Sequence, residues 1–92
     1  MIKSFKCKDT KTLFETGESR VFGNFLSVAT RKLTYLDNAV TLDALRSPPA
    51  NRLEKLVGDR EGQYSIRIND QFRICFVWSE DGVYDVEIVD YH

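Results

Sequence analysis

The chain has 92 residues and a formal net charge of −1, with 42% hydrophobic and 29% charged residues. This balance is typical of a folded globular protein and excludes a disordered one, and the length suits a single domain, residues 1–92, with one modest core. No apolar run approaches the roughly 20 residues that cross a bilayer, and the N-terminus lacks the apolar stretch of a signal peptide. We therefore expect a cytoplasmic protein with no membrane partner.

The charges are unevenly distributed along the chain. Every Lys and Arg lies within residues 1–78, whereas residues 79–92 hold five acidic side chains and no basic one. Bulk charge will not attract nucleic acid, so any contact with a polyanion must use a local cluster. Cys7 and Cys75 are too few for a disulfide framework and lack the spacing of metal ligands, so we expect reduced thiols.

The first half of the chain predicts helices after one short strand. Residues 2–7 are typical of a strand, and Asp9 is a plausible N-cap for a helix that ends near Gly17. Apolar residues recur at helical spacing over residues 22–36 and predict a longer helix. Residues 41–46 predict a further helical turn, which ends before two prolines.

After these prolines the apolar period changes from 3.6 to 2. The segments RLEKLV (52–57), QYSIRI (63–68), FRICFVW (72–78) and VYDVEIV (83–89) predict four strands separated by turn residues. Helices followed by strands indicate an α+β fold. We expect an antiparallel sheet of about four to five strands, with two to three N-terminal helices packed on one face.

Alternation within the strands predicts which sheet face covers the core. Ten side chains are predicted to face the helices: Tyr64, Ile66, Ile68, Phe72, Ile74, Phe76, Trp78, Tyr84, Val86 and Ile88. The opposite face then carries more polar side chains, including Ser65, Arg67, Arg73 and Glu87.

The register of the first hairpin predicts an arginine pair. A three-residue loop, residues 69–71, keeps the apolar faces together and places Arg67 directly opposite Arg73. Like charges in that position are destabilising, which favours an anion between them. Two interpretations remain open: a phosphate site on this face, or partial neutralisation by Glu87, which lies diagonal to Arg73.

The second hairpin is predicted to have a three-residue loop as well. A loop at residues 80–82 pairs Trp78 with Tyr84 and, further along, Ile74 with Ile88. Strict alternation beyond this strand would place His92 on the face opposite Arg73, so the chain end must bend if the two act together.

The run LRSPPANRLEKLVGDREGQYSIRINDQFRICFVW, with the opening MIKSF and the closing EIVDYH, resembles the HigB toxins of the RelE/ParE superfamily. The GraT-like subgroup is the most similar, and the resemblance covers essentially the whole chain. It implies a small RelE-like fold and a metal-free endoribonuclease that cuts mRNA in the A site of the ribosome. It also implies inhibition by a HigA-type helix-turn-helix antitoxin, so that the toxin contacts DNA only indirectly, through that partner.

The resemblance also assigns roles to residues. The DYH ending of the family corresponds to Asp90, Tyr91 and His92. His92 would act as general acid or base, Tyr91 would stack on a base or orient the substrate, and Asp90 would transfer a second proton or orient the imidazole. The family arginine corresponds to Arg73, which would hold the scissile phosphate.

Two further cations, Arg67 and Lys55, are weaker candidates for phosphate contacts. Many relatives carry a lysine immediately before the GD of GDREG, where this chain has Val57, and Lys55 is a candidate substitute. The missing lysine keeps a second function in view, a non-catalytic module that binds the antitoxin or the ribosome. A third, a ParE-like gyrase poison, is disfavoured by the terminal histidine.

Overall fold

The computed structural model describes residues 1–90, in which two α-helices pack on a four-stranded antiparallel sheet with the strand order β1-β2-β3-β4. The elements are α1 (Lys8–Thr16), α2 (Leu26–Asn38), β1 (Glu54–Lys55), β2 (Tyr64–Arg67), β3 (Phe72–Ser79) and β4 (Gly82–Asp90). The predicted α+β fold, with its helices before its sheet, is confirmed. Neither helix in residues 1–90 is long and apolar enough to cross a membrane.

The two helices end and begin close to their predicted bounds. α1 starts directly after Cys7 and stops at Gly17, whose left-handed φ of 76° lets its N–H donate to the Leu13 carbonyl at 2.8 Å. α2 starts later than its apolar stripe because Gly23–Phe25 form a 3₁₀ turn first. The predicted stripe is buried as expected at Phe22, Ala29, Leu33 and Leu36.

The N-terminal segment does not form the predicted strand. Residues 1–6 run beside the outer edge of β4 and make two isolated parallel bridges, Ile2 with Val83 and Phe5 with Val86. The Val83 N–H donates to the Met1 carbonyl at 2.9 Å. The segment therefore covers the edge of the sheet with only part of a ladder.

The connection from α2 to β2 is more irregular than its sequence indicates. The predicted helical turn is a 3₁₀ turn at Asp43–Arg46, and a second one follows at Pro49–Asn51. β1 has only two residues instead of six, because Arg52 before it adopts a left-handed φ of 46° and Gly58 after it turns the chain with a φ of 67°.

The β2–β3 hairpin has the predicted register. Ile66 lies opposite Ile74, and Arg67 lies opposite Arg73. The loop is fixed by Asn69, whose Oδ1 accepts hydrogen bonds from the N–H groups of Gln71 (2.9 Å) and Phe72 (2.8 Å). This side-chain turn sets the loop length and therefore the face on which each strand residue lies.

The β3–β4 hairpin keeps one predicted pair and loses another. Ile74 lies opposite Ile88 as predicted, but Trp78 lies opposite Val83 and not Tyr84. The reason is a β-bulge, where β4 has one more residue than β3 and Asp85 takes a left-handed φ of 54°. The bulge reverses the alternation towards the hairpin, and so Val83 replaces Tyr84 in the core.

The core lies between the helices and one sheet face. Nine of the ten side chains predicted for that face are in the core cluster or packed against it, Tyr84 being the exception. Phe72 shows how the layers meet, because its ring stacks on Phe25 with centroids 4.4 Å apart. The opposite sheet face is therefore the one available for a site.

Candidate active site

The arginine pair is the centre of the candidate site. Arg67 and Arg73 lie directly opposite each other on β2 and β3, so their side chains leave the same face of the sheet. Arg73 is buried, with 7% of its surface exposed, whereas the side chain of Arg67 is 29% exposed. The two cations therefore occupy an inner and an outer position of one site.

The guanidinium of Arg73 is held from two directions. Its Nε donates to the Ser65 hydroxyl at 2.7 Å, and its Nη2 donates to the Arg52 carbonyl at 2.6 Å. Its Nη1 lies 4.0 Å from a Glu54 carboxylate oxygen. A buried charge requires such hydrogen bonds, and here they also fix the plane of the group.

The local backbone explains how these acceptors reach Arg73. Glu54 pairs with Ser65 across β1 and β2, so both side chains lie on the face of Arg73. The left-handed turn at Arg52 brings its carbonyl to the same place from the preceding loop. The short β1 strand thus serves mainly to dock this loop against the arginine.

The outer arginine has a different kind of partner. Arg67 forms an ion pair with Asp70 in the hairpin loop, and the Asp70 side chain is 98% exposed. Exposed ion pairs of this kind contribute little to stability. Arg67 can therefore exchange its carboxylate for a phosphate at small cost.

Lys55 and Asp90 lie on the opposite face from the arginine pair. Lys55 is opposite Tyr64, and Asp90 is opposite Phe72; both of these aromatic side chains pack towards the core. A carboxylate oxygen of Asp90 accepts a hydrogen bond from Gln71 at 3.1 Å. The register thus groups Arg67 with Arg73 and does not bring Lys55 to them.

The other two predicted catalytic residues, Tyr91 and His92, lie outside the described residues. Val57, which stands at the position of the family lysine, lies two residues after β1 and is 82% exposed. It precedes the 3₁₀ turn Gly58–Arg60, which forms the GDR of the GDREG motif.

Glu87 is engaged by a residue that the sequence did not single out. Its carboxylate forms an ion pair with Arg60 at 2.8 Å, and Arg60 also donates to the Gln63 side chain at 3.1 Å. Arg60 thereby ties the GDREG turn to β4. Cys75 beside them is fully buried. Burial raises the pKa of its thiol, and the charge of Glu87 raises it further, whereas the charge of Arg60 lowers it.

The electrostatics of α2 reveal another missed cation. The ammonium of Lys32 donates to the Asn51 side-chain oxygen. Burial lowers the pKa of Lys32, and the charges of Arg31 and Arg67 lower it further. The sequence gave no indication of this contact, because Asn51 lies 19 positions after Lys32, far beyond the spacing of neighbours on a helix.

Ser65 was also missed as a site residue, although its signal was present. The alternation placed Ser65 on the face of Arg73, two residues before Arg67 on the neighbouring strand. The contact with the Arg52 carbonyl could not be predicted from the sequence, since every residue has a backbone carbonyl and the residue type does not indicate which one is used. Within residues 1–90, no group of three or more His, Cys, Asp or Glu side chains is arranged to hold a metal ion.

Comparison with known proteins gives a family and two relatives. A family profile described as a RelE-like toxin of the type II toxin–antitoxin system HigB matches residues 3–92. Toxin HigB-1 of Vibrio cholerae is 51% identical over 53 residues, which is 58% of this chain and 55% of that protein. Endoribonuclease HigB of Proteus vulgaris is 37% identical over the full length of both chains.

Solved structures of low sequence identity have the same fold. A YoeB–YefM complex from Staphylococcus aureus matches with a TM-score of 0.61 at 18% identity, covering 100% of this chain and 95% of the other. The YoeB dimer from the same organism gives a TM-score of 0.59 at 18% identity over 99% and 94% of the two chains. These likenesses support the RelE-like α+β fold.

Proposed function

We propose that this chain, which belongs to the family of HigB-like, RelE-like toxins of type II toxin–antitoxin systems, is an endoribonuclease that cleaves mRNA on the ribosome. The full-length relative from Proteus vulgaris is named an endoribonuclease, and its similarity extends over every element of the fold. The proposed chemistry uses no metal or other cofactor. It takes place in the cytoplasm, where ribosomes translate mRNA.

The reaction is a transfer of the phosphoryl group within the RNA strand. A base removes the proton of a 2′-hydroxyl, and its oxygen then forms a bond to the adjacent phosphorus. The bond from phosphorus to the 5′-oxygen breaks, and an acid gives that oxygen a proton. The products are a 2′,3′-cyclic phosphate and a 5′-hydroxyl. His92 is our candidate for one of these proton transfers, because an imidazole titrates near pH 6.5.

The observation that carries the proposal is the fixed guanidinium of Arg73 beside Arg67. Charge grows on the phosphate oxygens as the new bond forms, and a cation that is already oriented stabilises this charge without rearranging. The bonds to Ser65 and Arg52 provide that orientation. In this scheme Arg67 is an outer phosphate contact, and Tyr91 stacks on a base or orients the substrate. Asp90, which the register places on the opposite face, would assist proton transfer or orient the imidazole only from around the end of β4.

The proposed partners follow from the family. We infer a HigA-type helix-turn-helix antitoxin that keeps the chain inactive. The solved toxin–antitoxin complex of YoeB with YefM, whose toxin has the same fold, supports an antitoxin partner. Contact with DNA would then be indirect, through the antitoxin. The working target is the ribosome with its bound mRNA.

Val57 supports a second candidate function. An apolar side chain that is 82% exposed stands where many relatives have a lysine, and the register places Lys55 away from Arg73. A chain without that lysine could occupy the ribosome or bind its antitoxin without cutting RNA. The experiment must therefore separate arrest of growth from cleavage.

Expression in bacteria of the full chain, an Arg73→Gln variant and a chain lacking His92, followed by mapping of mRNA 5′ ends, tests the proposal. We expect new 5′-hydroxyl ends within reading frames for the full chain. The yield of these ends should fall at least about 100-fold in both variants. Arg73→Gln removes stabilisation of the phosphate charge, and deletion of His92 removes a proton transfer. Glu80→Gln, a change in the distant β3–β4 loop, is the matched control and should cleave normally.

Arrest of growth without new RNA ends would refute cleavage and favour the binding function. Broken chromosomal DNA would instead favour a gyrase poison. Undiminished cleavage by the chain without His92 would remove that residue from the mechanism while leaving the nuclease itself intact.

A further inference from the structure

A patch of positive charge extends from the candidate site towards α2. We define the basic edge as Arg31 and Lys32 of α2 together with Arg67 of β2. We propose that the basic edge is a second phosphate subsite, which binds the RNA backbone at a phosphate next to the one held by Arg73. This inference rests on the proposed function, since it extends the same site along the RNA strand.

The loop before β1 links the two subsites physically. Asn51 accepts a hydrogen bond from the ammonium of Lys32, and the next residue, Arg52, gives its carbonyl to Arg73. The 3₁₀ turn that contains Asn51 packs against β2, the strand of Arg67. Two neighbouring residues of one loop therefore hold a cation of each subsite.

Asn51 makes this arrangement rigid. Its side chain is fully buried, and its amide nitrogen donates to the carbonyls of Leu45 (3.2 Å) and Ser47 (3.3 Å). These two bonds determine which way the amide faces, so the side-chain oxygen is directed at Lys32. The ammonium is consequently held in place by a neutral group that leaves its charge unchanged.

Three like charges gathered at one place favour an anionic ligand. The charges of Arg31 and Arg67 disfavour the protonated form of Lys32. Among the ion pairs of residues 1–90, Arg67 has the exposed Asp70, and neither Arg31 nor Lys32 takes part in one. A phosphodiester would relieve this repulsion, and an RNA strand carries further phosphates next to the one that Arg73 is proposed to hold.

A binding measurement tests the proposal independently of cleavage. The full chain carrying His92→Ala, with and without Lys32→Gln, is titrated with labelled single-stranded RNA of two and twelve nucleotides, without terminal phosphates, over a range of salt concentrations. We expect Lys32→Gln to weaken binding of the 12-mer about three- to tenfold and to flatten its salt dependence by about 0.7, the slope for one phosphate contact on a single strand. Binding of the 2-mer should change little, because its single phosphate occupies only the subsite of Arg73.

Matched variants separate charge from structure. Lys32→Arg keeps the positive charge and should restore most of the affinity for the 12-mer. Lys11→Gln removes a lysine of α1 beside the N-terminal segment, at the β4 edge of the sheet, and should leave the salt slope unchanged. Thermal unfolding of each variant shows whether the loss of the contact with Asn51 unfolds the protein.

A second arm uses purified small ribosomal subunits in place of the oligonucleotide. A loss in the oligonucleotide arm identifies the substrate strand as the source of the phosphate, and a loss confined to the subunit arm identifies ribosomal RNA. Unchanged affinity and salt slope in both arms overturn the subsite. RNA binding that depends on Lys32 in a chain that never cleaves would support the subsite and refute the proposed nuclease, so the two failures are distinguishable.

Discussion

Arg73 depends more on its surroundings than the other arginine of the site. Only 7% of its surface is exposed, and a buried charge must be hydrogen-bonded by the protein. Ser65 supplies one support through a fully buried hydroxyl, 2.7 Å from Nε. The other support, the Arg52 carbonyl, depends on a left-handed turn. Arg73 is thus positioned by atoms that never need to contact RNA.

Ser65→Ala tests Ser65 as a positioning residue. The change leaves Nε of a buried charge without its acceptor, and we expect the free energy of unfolding to fall by about 1.5–3 kcal/mol. Cleavage should fall more than tenfold even where the variant is fully folded, because the guanidinium can tilt. Ser79→Ala removes an exposed hydroxyl from the β3–β4 hairpin and is the control. Normal cleavage by folded Ser65→Ala would contradict the role.

At the scale of the element, the β-bulge in β4 decides which residues reach the core. The extra residue lets Val83, Val86 and Ile88 all face the helices, although their spacing breaks strict alternation. Asp85 takes the left-handed conformation, and its N–H donates to the Ser4 hydroxyl at 2.9 Å. The bulge therefore also helps to bind the N-terminal segment.

Asp85→Val should destabilise the protein through this conformation. A β-branched side chain at positive φ costs about 1–2 kcal/mol, whereas Asn tolerates it. We expect Asp85→Val to lower the midpoint of urea denaturation and Asp85→Asn to leave it nearly unchanged. The Asn variant controls for the lost charge. Equal midpoints for the two variants would show that the bulge is not strained at Asp85.

At the scale of the whole molecule, the N-terminal segment closes one edge of the sheet. The Ile2 N–H donates to the Asp37 carboxylate at 2.7 Å, so the segment joins the end of α2 to β4. Gly82 permits the close approach, because a Cβ there would lie 2.9 Å from the Met1 carbonyl oxygen and 2.5 Å from Cγ of Lys3. An uncovered edge strand would invite pairing with another chain.

Gly82→Ala should separate the segment from the edge. The added methyl meets backbone that cannot move without breaking its hydrogen bonds, and we expect a loss of about 1–3 kcal/mol in the free energy of unfolding. Amide hydrogen exchange of Val83 and Val86 should become faster, because their partners are in residues 1–4. Glu80→Ala, a change in the same loop that leaves the segment in place, is the control. Unchanged exchange in Gly82→Ala would contradict the tight contact.

Much of this architecture was predictable, because it follows from local periodicity. The stripe that includes Leu33 and Leu36 and the alternation in β2 and β3 are properties of neighbouring residues, and burial excludes other registers. The same reasoning located Arg67 opposite Arg73. The bulge was not predictable, since a single extra residue reverses the alternation without leaving a distinctive residue type.

By itself, the sequence determined the fold class, the family and the arginine pair, because hydrophobic period and hairpin register depend on residues close together in the chain. Tertiary structure alone decided that Ser65 and the Arg52 carbonyl hold Arg73, that Asn51 fixes Lys32, and that Lys55 lies on the other face. These contacts depend on where a loop docks after the chain has folded. A docked loop joins residues far apart in sequence through single hydrogen bonds, which leave no periodic pattern to detect.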